Sequence, residues 1–426
     1  MRGKDERGII IALVAVVMLG VVGAMAALSI DVVTIYTARS EAQLAADSAA
    51  LAAARVLANS GATSDTTGGS MTGAWTLASA VALQVAEQNR IGGVNLIASQ
   101  ITIPAAPVET RRNSNWTFTI RVQVNNLPTF FARIWGTKFI TVGASATAEV
   151  YNPWGAIGAA FSPAPPVAPI CVKPWLLPNM DPKVTGAIFD PNSGTIQDTT
   201  LLGWTSVVPG TGIPMSSACG PTGDCSAPPN PTPWNYYPGD DLTFPHPTNS
   251  LPSCTPALTS NYQQSIAGCV PTPIACNAQV NIDNTPDSNR DLETTNAVTC
   301  LTHTTDGSGD KVDVTGGSIP PFQFIAGADN PIVGLSGKDV EVSDSLVTVP
   351  VFNSSSGVPP TNPVTIVGFV QLFLNPDGLA TPTVGQVNAT VINMVGCGTK
   401  VGGTPILGNG ASPVTVRLIS PPPAVN

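Results

Sequence analysis

The chain has 426 residues, 43% hydrophobic and 11% charged, with 40 glycines and 41 prolines, a profile that suits a loop-rich β protein better than a cytoplasmic helical one. Its net charge of −9 comes from residues 151–426, which hold eighteen acidic and seven basic side chains, while the first 150 residues stay near balance. No basic stripe is present to neutralise phosphates, so nucleic acid is excluded as an expected partner.

In chain order, residues 1–7 form a short tail with Arg2, Lys4 and Arg7, and residues 8–30 follow as 23 uncharged positions. At about 1.5 Å per residue that stretch spans a hydrocarbon core of roughly 30 Å. Basic residues stay cytoplasmic, so the expected topology is a single-pass inner-membrane anchor with the bulk of the chain extracytoplasmic. Two rivals remain. The run could be a signal peptide cut before Ala27 at a small-x-small site, or a pilin-like leader cut after Gly8, although such precursors carry a glutamate where this chain has Leu13.

Beyond Asp31 no turn signal appears until Asn59-Ser60-Gly61, and alanine supports helix strongly, so one helix is expected from about residue 8 to residue 58. Ile35, Ala38, Ala42, Ala45, Ala49, Ala52 and Val56 recur every 3.5 residues on average, drawing a narrow packing stripe of small side chains. Such a stripe packs either on its own domain or on partner helices in an assembly.

These residues carry a resemblance. The span opening at Gly8, the Asp31 that ends it, Tyr36, and the run Gln43-Leu44-Ala45-Ala46-Asp47-Ser48-Ala49-Ala50-Leu51-Ala52 resemble the N-terminal module of TadG-like proteins of the Flp (tight adherence) pilus-assembly system. Residues 126–150, with Phe130-Phe131-Ala132-Arg133 and an alternating strand, extend the likeness, and residues 347–374 echo it weakly. The resemblance implies an envelope-facing component of pilus assembly and brings no catalytic residues. Some longer relatives add a von Willebrand factor A domain with Asp-x-Ser-x-Ser. Here Asp306-Gly307-Ser308-Gly309-Asp310 and Asp224-Cys225-Ser226 fall short of that triplet, so the domain is not expected.

A second helix is expected near Trp75, Ala78 and Val85, ending at Gly92-Gly93. Alternation of Trp116, Phe118, Ile120, Val122 and Val124 predicts a half-buried strand, and residues 139–150 predict another. Residues 31–150 thus read as a pilin-like α+β module. A Pro-rich linker is expected over 151–170, a Cys/Pro-rich, loop-dominated region over 171–315, and a β-rich, sandwich-like domain over 316–426 with strands near 322–326, 340–352, 364–374, 386–395 and 414–419. The fold class is α+β throughout.

All eight cysteines lie in the C-terminal part: Cys171, Cys219, Cys225, Cys254, Cys269, Cys276, Cys300 and Cys397. An even count in an exported-looking region reads as disulfides, with the pairing left open among about 105 arrangements. Zinc is disfavoured, because there is no Cys-x-x-Cys and His246 and His303 are the only histidines. Calcium is the one ion the acidic runs Asp283, Asp287, Asp291, Glu293 and Asp306, Asp310, Asp313 bring up, against solvated turn carboxylates; no cofactor is otherwise expected. Without a nucleophile elbow beside either histidine, an enzyme is not expected. The triplets at Asn115, Asn353 and Asn388 carry no glycosylation reading. The leading function is a membrane-anchored structural component of pilus assembly whose partners are lipid, other assembly proteins or pilin-like helices, and a second copy of the chain. The alternative is a secreted or surface-displayed adhesion module.

Overall fold

The computed structural model describes residues 5–65, 69–105, 108–110, 115–153, 165–182, 186–197, 201–203, 213–218, 234–247, 251, 253–303, 308–313, 320–354, 357, 359–374, 384–398, 404–408 and 412–419. Helix α1 runs unbroken over Asp5–Asn59, 55 residues and so about 82 Å at the standard rise. From residue 10 to residue 30 its large apolar side chains are exposed, and this is the stretch long and apolar enough to cross a membrane among the described residues. Its far end stops at Gly61, which takes a left-handed φ of 79°. A Cβ there would sit 2.6 Å from the Ile392 carbonyl oxygen, so glycine is required on two counts.

Beyond the span, α1 packs beside α2 (Met71–Glu87) on one face of an antiparallel sheet. Pairing across the two long strands, Asn115–Pro128 and Phe139–Tyr151, sets Phe118 opposite Ala148, Ile120 opposite Ala146 and Val122 opposite Ala144. The alternation read from the sequence therefore faces the helices, while Thr119, Arg121 and Gln123 fall on the other face. Alanine on both the helix and the strand brings backbones close, and the bulk that fills the layer comes from Trp75, its ring centroid 4.3 Å from that of Phe118 and tilted by 37°.

The outer strand of this sheet is Thr415–Ile419, from the opposite end of the sequence, paired along five residues with Phe139–Tyr151. Residues 414–419, expected among the C-terminal strands, thus complete the N-terminal module instead. Between residues 171 and 397 the chain builds a second core: where loops were expected over 171–315 and a sandwich-like domain over 316–426, strands from both stretches form one sheet closed on itself. Strand Val364–Leu374 pairs with Leu346–Phe352 and with Val387–Gly396. The ring continues through Trp175–Pro178, Asn235–Pro238 and Ile213–Ser217 back to Val387–Gly396. Closure leaves the six strands without a free edge. Three of them come from the stretch expected as loops. Phe189 fills the space over Gly368, where an added Cβ would collide with its ring. Helices α3 (Asn261–Ala267) and α4 (Arg290–Leu301) pack on each other beside this barrel.

Candidate functional site

Every residue of the alanine stripe can now be placed. Ala38, Ala42, Ala45 and Ala49 are buried, Ile35, Ala52 and Val56 are half-buried, and Ala46, Ala50, Ala53, Ala54 and Leu57 are buried beside them. The chain's own sheet and α2 cover this surface, which closes it to a partner helix. The opposite side stays open. Val33, Tyr36, Ser40 and Leu44 are exposed and recur at three- and four-residue spacing, so they share one face of α1. Leu44 keeps 64% of its surface in water and Tyr36 71%, high values for apolar bodies just past a membrane span.

Where α1 leaves the span, Asp31 is buried among backbone donors. Its Oδ1 accepts from the Phe130 N–H at 2.9 Å, and its Oδ2 from the N–H groups of Phe131 at 3.0 Å and Ala132 at 2.5 Å. The aspartate thereby pins the connection between the two long strands to the mouth of the span, capping the short 3-10 turn Ala132–Trp135. Asp31 was legible as the residue ending the apolar run; the segment it holds, a hundred residues on, was not.

At the other end of α1, a buried polar joint ties the helix to the barrel. Gln371 and Asn393, each between apolar neighbours in a long strand, are fully buried. The Gln371 amide donates to Asn59 Oδ1 at 3.1 Å, and the Asn393 amide donates to the Ala58 carbonyl and to Gln371 Oε1, each at 2.6 Å. Asn152 adds a donor to the Met394 carbonyl at 3.1 Å. A Gln or Asn set between apolar residues in a strand is the sequence signal for such a joint, since burying an amide without partners costs several kcal/mol, about 2–7.

The returning strand is locked in the same manner. Arg417 lies directly opposite Glu149, donating from Nε at 2.7 Å and from Nη2 at 2.6 Å to Oε2, while Asn115 donates to Oε1 at 2.8 Å. Sequence reasoning missed this pair.

Six of the eight cysteines form bridges: Cys171–Cys269, Cys254–Cys300 and Cys276–Cys397. Cys219 and Cys225 lie outside the described residues. All three bridges fasten the barrel and its helices. Three of the four carboxylates in the first run raised for calcium are turned onto a cation of the chain's own. The Arg290 guanidinium holds Asp283 at 2.5 Å, with Glu293 at 3.8 Å and Asp287 at 4.0 Å, and lies over the Tyr262 ring. In the second run Asp310 accepts from the Gly327 N–H, the Ser343 hydroxyl and the Asn330 amide, while Asp306 lies outside the described residues. Among the described residues no group of three or more acidic, histidine or cysteine side chains is gathered to hold a metal. His303, with its Nε2 2.9 Å from Asp344 Oδ2, has its pKa raised by that contact; His246 stands apart from any nucleophile in the described contacts.

The site is therefore a surface rather than a pocket: an apolar helix long enough to cross a membrane, continued into the protein core with one open face. Residues 10–56 match a family model described as "Putative Flp pilus-assembly TadE/G-like"; this stretch of the helix is similar to that family, which supports an association with Flp pilus assembly. The match ends three residues before the helix does. No curated protein and no solved structure matches the chain.

Proposed function

We propose that the protein is a single-pass inner-membrane component of Flp pilus assembly, with its N-terminus in the cytoplasm and the rest outside, acting through protein–protein contacts rather than chemistry. The observation that carries this reading is the continuity of α1. A TadE/G-like helix enters the extramembrane unit as its central packing element, so force or position at the membrane passes directly into the folded unit. The contact surface is the open face of Val33, Tyr36, Ser40 and Leu44, because the alanine face is occupied from within. A photo-reactive residue placed at Leu44 in living cells tests it. The expected result is an adduct with a pilin or another assembly protein, absent when the same residue replaces the exposed Leu242 of the barrel region. Pili that assemble normally in a strain lacking the protein would overturn the assignment.

The adhesion reading keeps one supporting observation, the disulfide-fastened barrel. Its test needs the whole extramembrane chain, because the last strand belongs to the helix's own sheet and the barrel is joined to α1 through Asn393.

A further inference from the structure

The connection between the two long strands carries apolar side chains with no protein partner. Phe130 is 61% exposed, Ile134 72% and Phe139 57%, and Arg133 and Lys138 beside them are exposed as well. Three large apolar groups exposed to water on one short segment are costly relative to burial, and a turn serving only as a linker would be polar. Their position explains them. Asp31 binds the backbone of Phe130, Phe131 and Ala132, and Asp31 is the residue immediately after the apolar span. The exposed apolar surface of α1 is continuous up to that point, through Met25, Leu28 and Ile30. Headgroups add about 5–8 Å to each side of the hydrocarbon core, so a segment pinned to the first residue outside that core sits within the headgroup layer. Aromatic and aliphatic groups flanked by cations are the composition that layer binds.

We propose that residues 129–139 form a second membrane contact. Phe130, Ile134 and Phe139 enter the boundary between headgroups and acyl chains of the leaflet that α1 leaves, while Arg133 and Lys138 meet lipid phosphates. A single helix can rotate and tilt freely about its axis; a second contact offset from that axis fixes both. The extramembrane unit then presents its open helix face in one direction. The proposal rests on the reading of residues 8–30 as a membrane span, and the experiment separates the two.

The test uses the full chain in vesicles of phosphatidylethanolamine and phosphatidylglycerol, with a benzophenone amino acid replacing, one at a time, Phe130, Ile134, Leu19 within the span, or Val333. Val333 is almost fully exposed and lies between strands Gln323–Ile325 and Asp339–Val340, next to the far end of α1 where Asn59 bonds the Glu341 carbonyl. Lipid adducts at positions 130 and 134 are expected at least about ten-fold above position 333, because interfacial groups sit among lipids and a distal one meets water. Adducts at position 19 with none above background at 130 and 134 would overturn the second contact and leave the span standing. Adducts from 130 or 134 to a second copy of the chain in place of lipid would overturn it also, in favour of a protein interface. Absence of lipid adducts at position 19 would remove the span and the proposal together.

Discussion

Replacing Arg417 with alanine is the most informative single change to the fold, because it acts on the one strand that joins the two ends of the chain. The Glu149 side chain is only 4% exposed, whereas that of Arg417 keeps 42% of its surface in water. Removing the partner of a fully buried charge costs about 3–5 kcal/mol. The exposed half of this pair is solvated and screened, which lowers the expectation to about 2 kcal/mol. Glu149 also keeps the Asn115 amide, so it is not left bare. Native-state hydrogen exchange reads the effect locally, without requiring two-state unfolding of a disulfide-bonded chain. Amides of residues 147–151 and 415–419 should exchange about thirty-fold faster in Arg417→Ala, the equivalent of about 2 kcal/mol. Barrel amides of residues 368–372 should be unchanged. Glu149→Gln in the Arg417→Ala background should restore part of the protection, since the buried charge is gone. If Arg417→Ala speeds exchange no more than Leu418→Ala, the paired charge does not hold the strand and the reasoning fails.

Three further outcomes follow from the packing and the titratable groups. Ala45→Leu should destabilise the extramembrane unit by about 1–3 kcal/mol, because Ala45 has no exposed surface and the sheet cannot retreat; Leu44→Ala should change thermal stability by less than about 0.5 kcal/mol. Burial pulls the Lys173 amine down to about 7, partly opposed by Asp344, while the unfolded chain keeps the ordinary 10.5. Between those values the unfolded state binds the extra proton, so stability should rise with pH above about 7, and Lys173→Met should flatten that rise in unfolding experiments from pH 7 to 9. Cys276 and Cys397 close a loop with a sequence separation of 121, and replacing both with serine should cost about 2–5 kcal/mol, read as a lower midpoint in denaturant.

Much of α1 was legible because its causes are local. Alanine content, the absence of breakers and Asn59-Ser60-Gly61 together bound a helix within a few residues of Asp5–Asn59. The width of its buried face was not, since a 3.5-residue stripe describes one neighbour and α1 has two, the sheet and α2. The strand at 115–128 was visible because one face is polar and the other packs on helices. By contrast, Trp175–Pro178 and Asn235–Pro238 are four residues each, buried on both faces and ended by proline, so period-two alternation had nothing to report. Long-range choices were equally hidden. Nothing near residue 417 says that its partner is Glu149, 268 residues earlier, and nothing near Asp31 names the turn it caps.

The most direct test of the account is the intact mass and N-terminal residue of the native protein, taken from both membrane and soluble fractions. The account requires a chain that retains residues 8–30 and is found only in membranes, since α1 is one uninterrupted helix from the bilayer into the folded core. A soluble chain beginning at Ala27 would contradict it, because the span would then have been a signal peptide and the helix would carry nothing from the membrane.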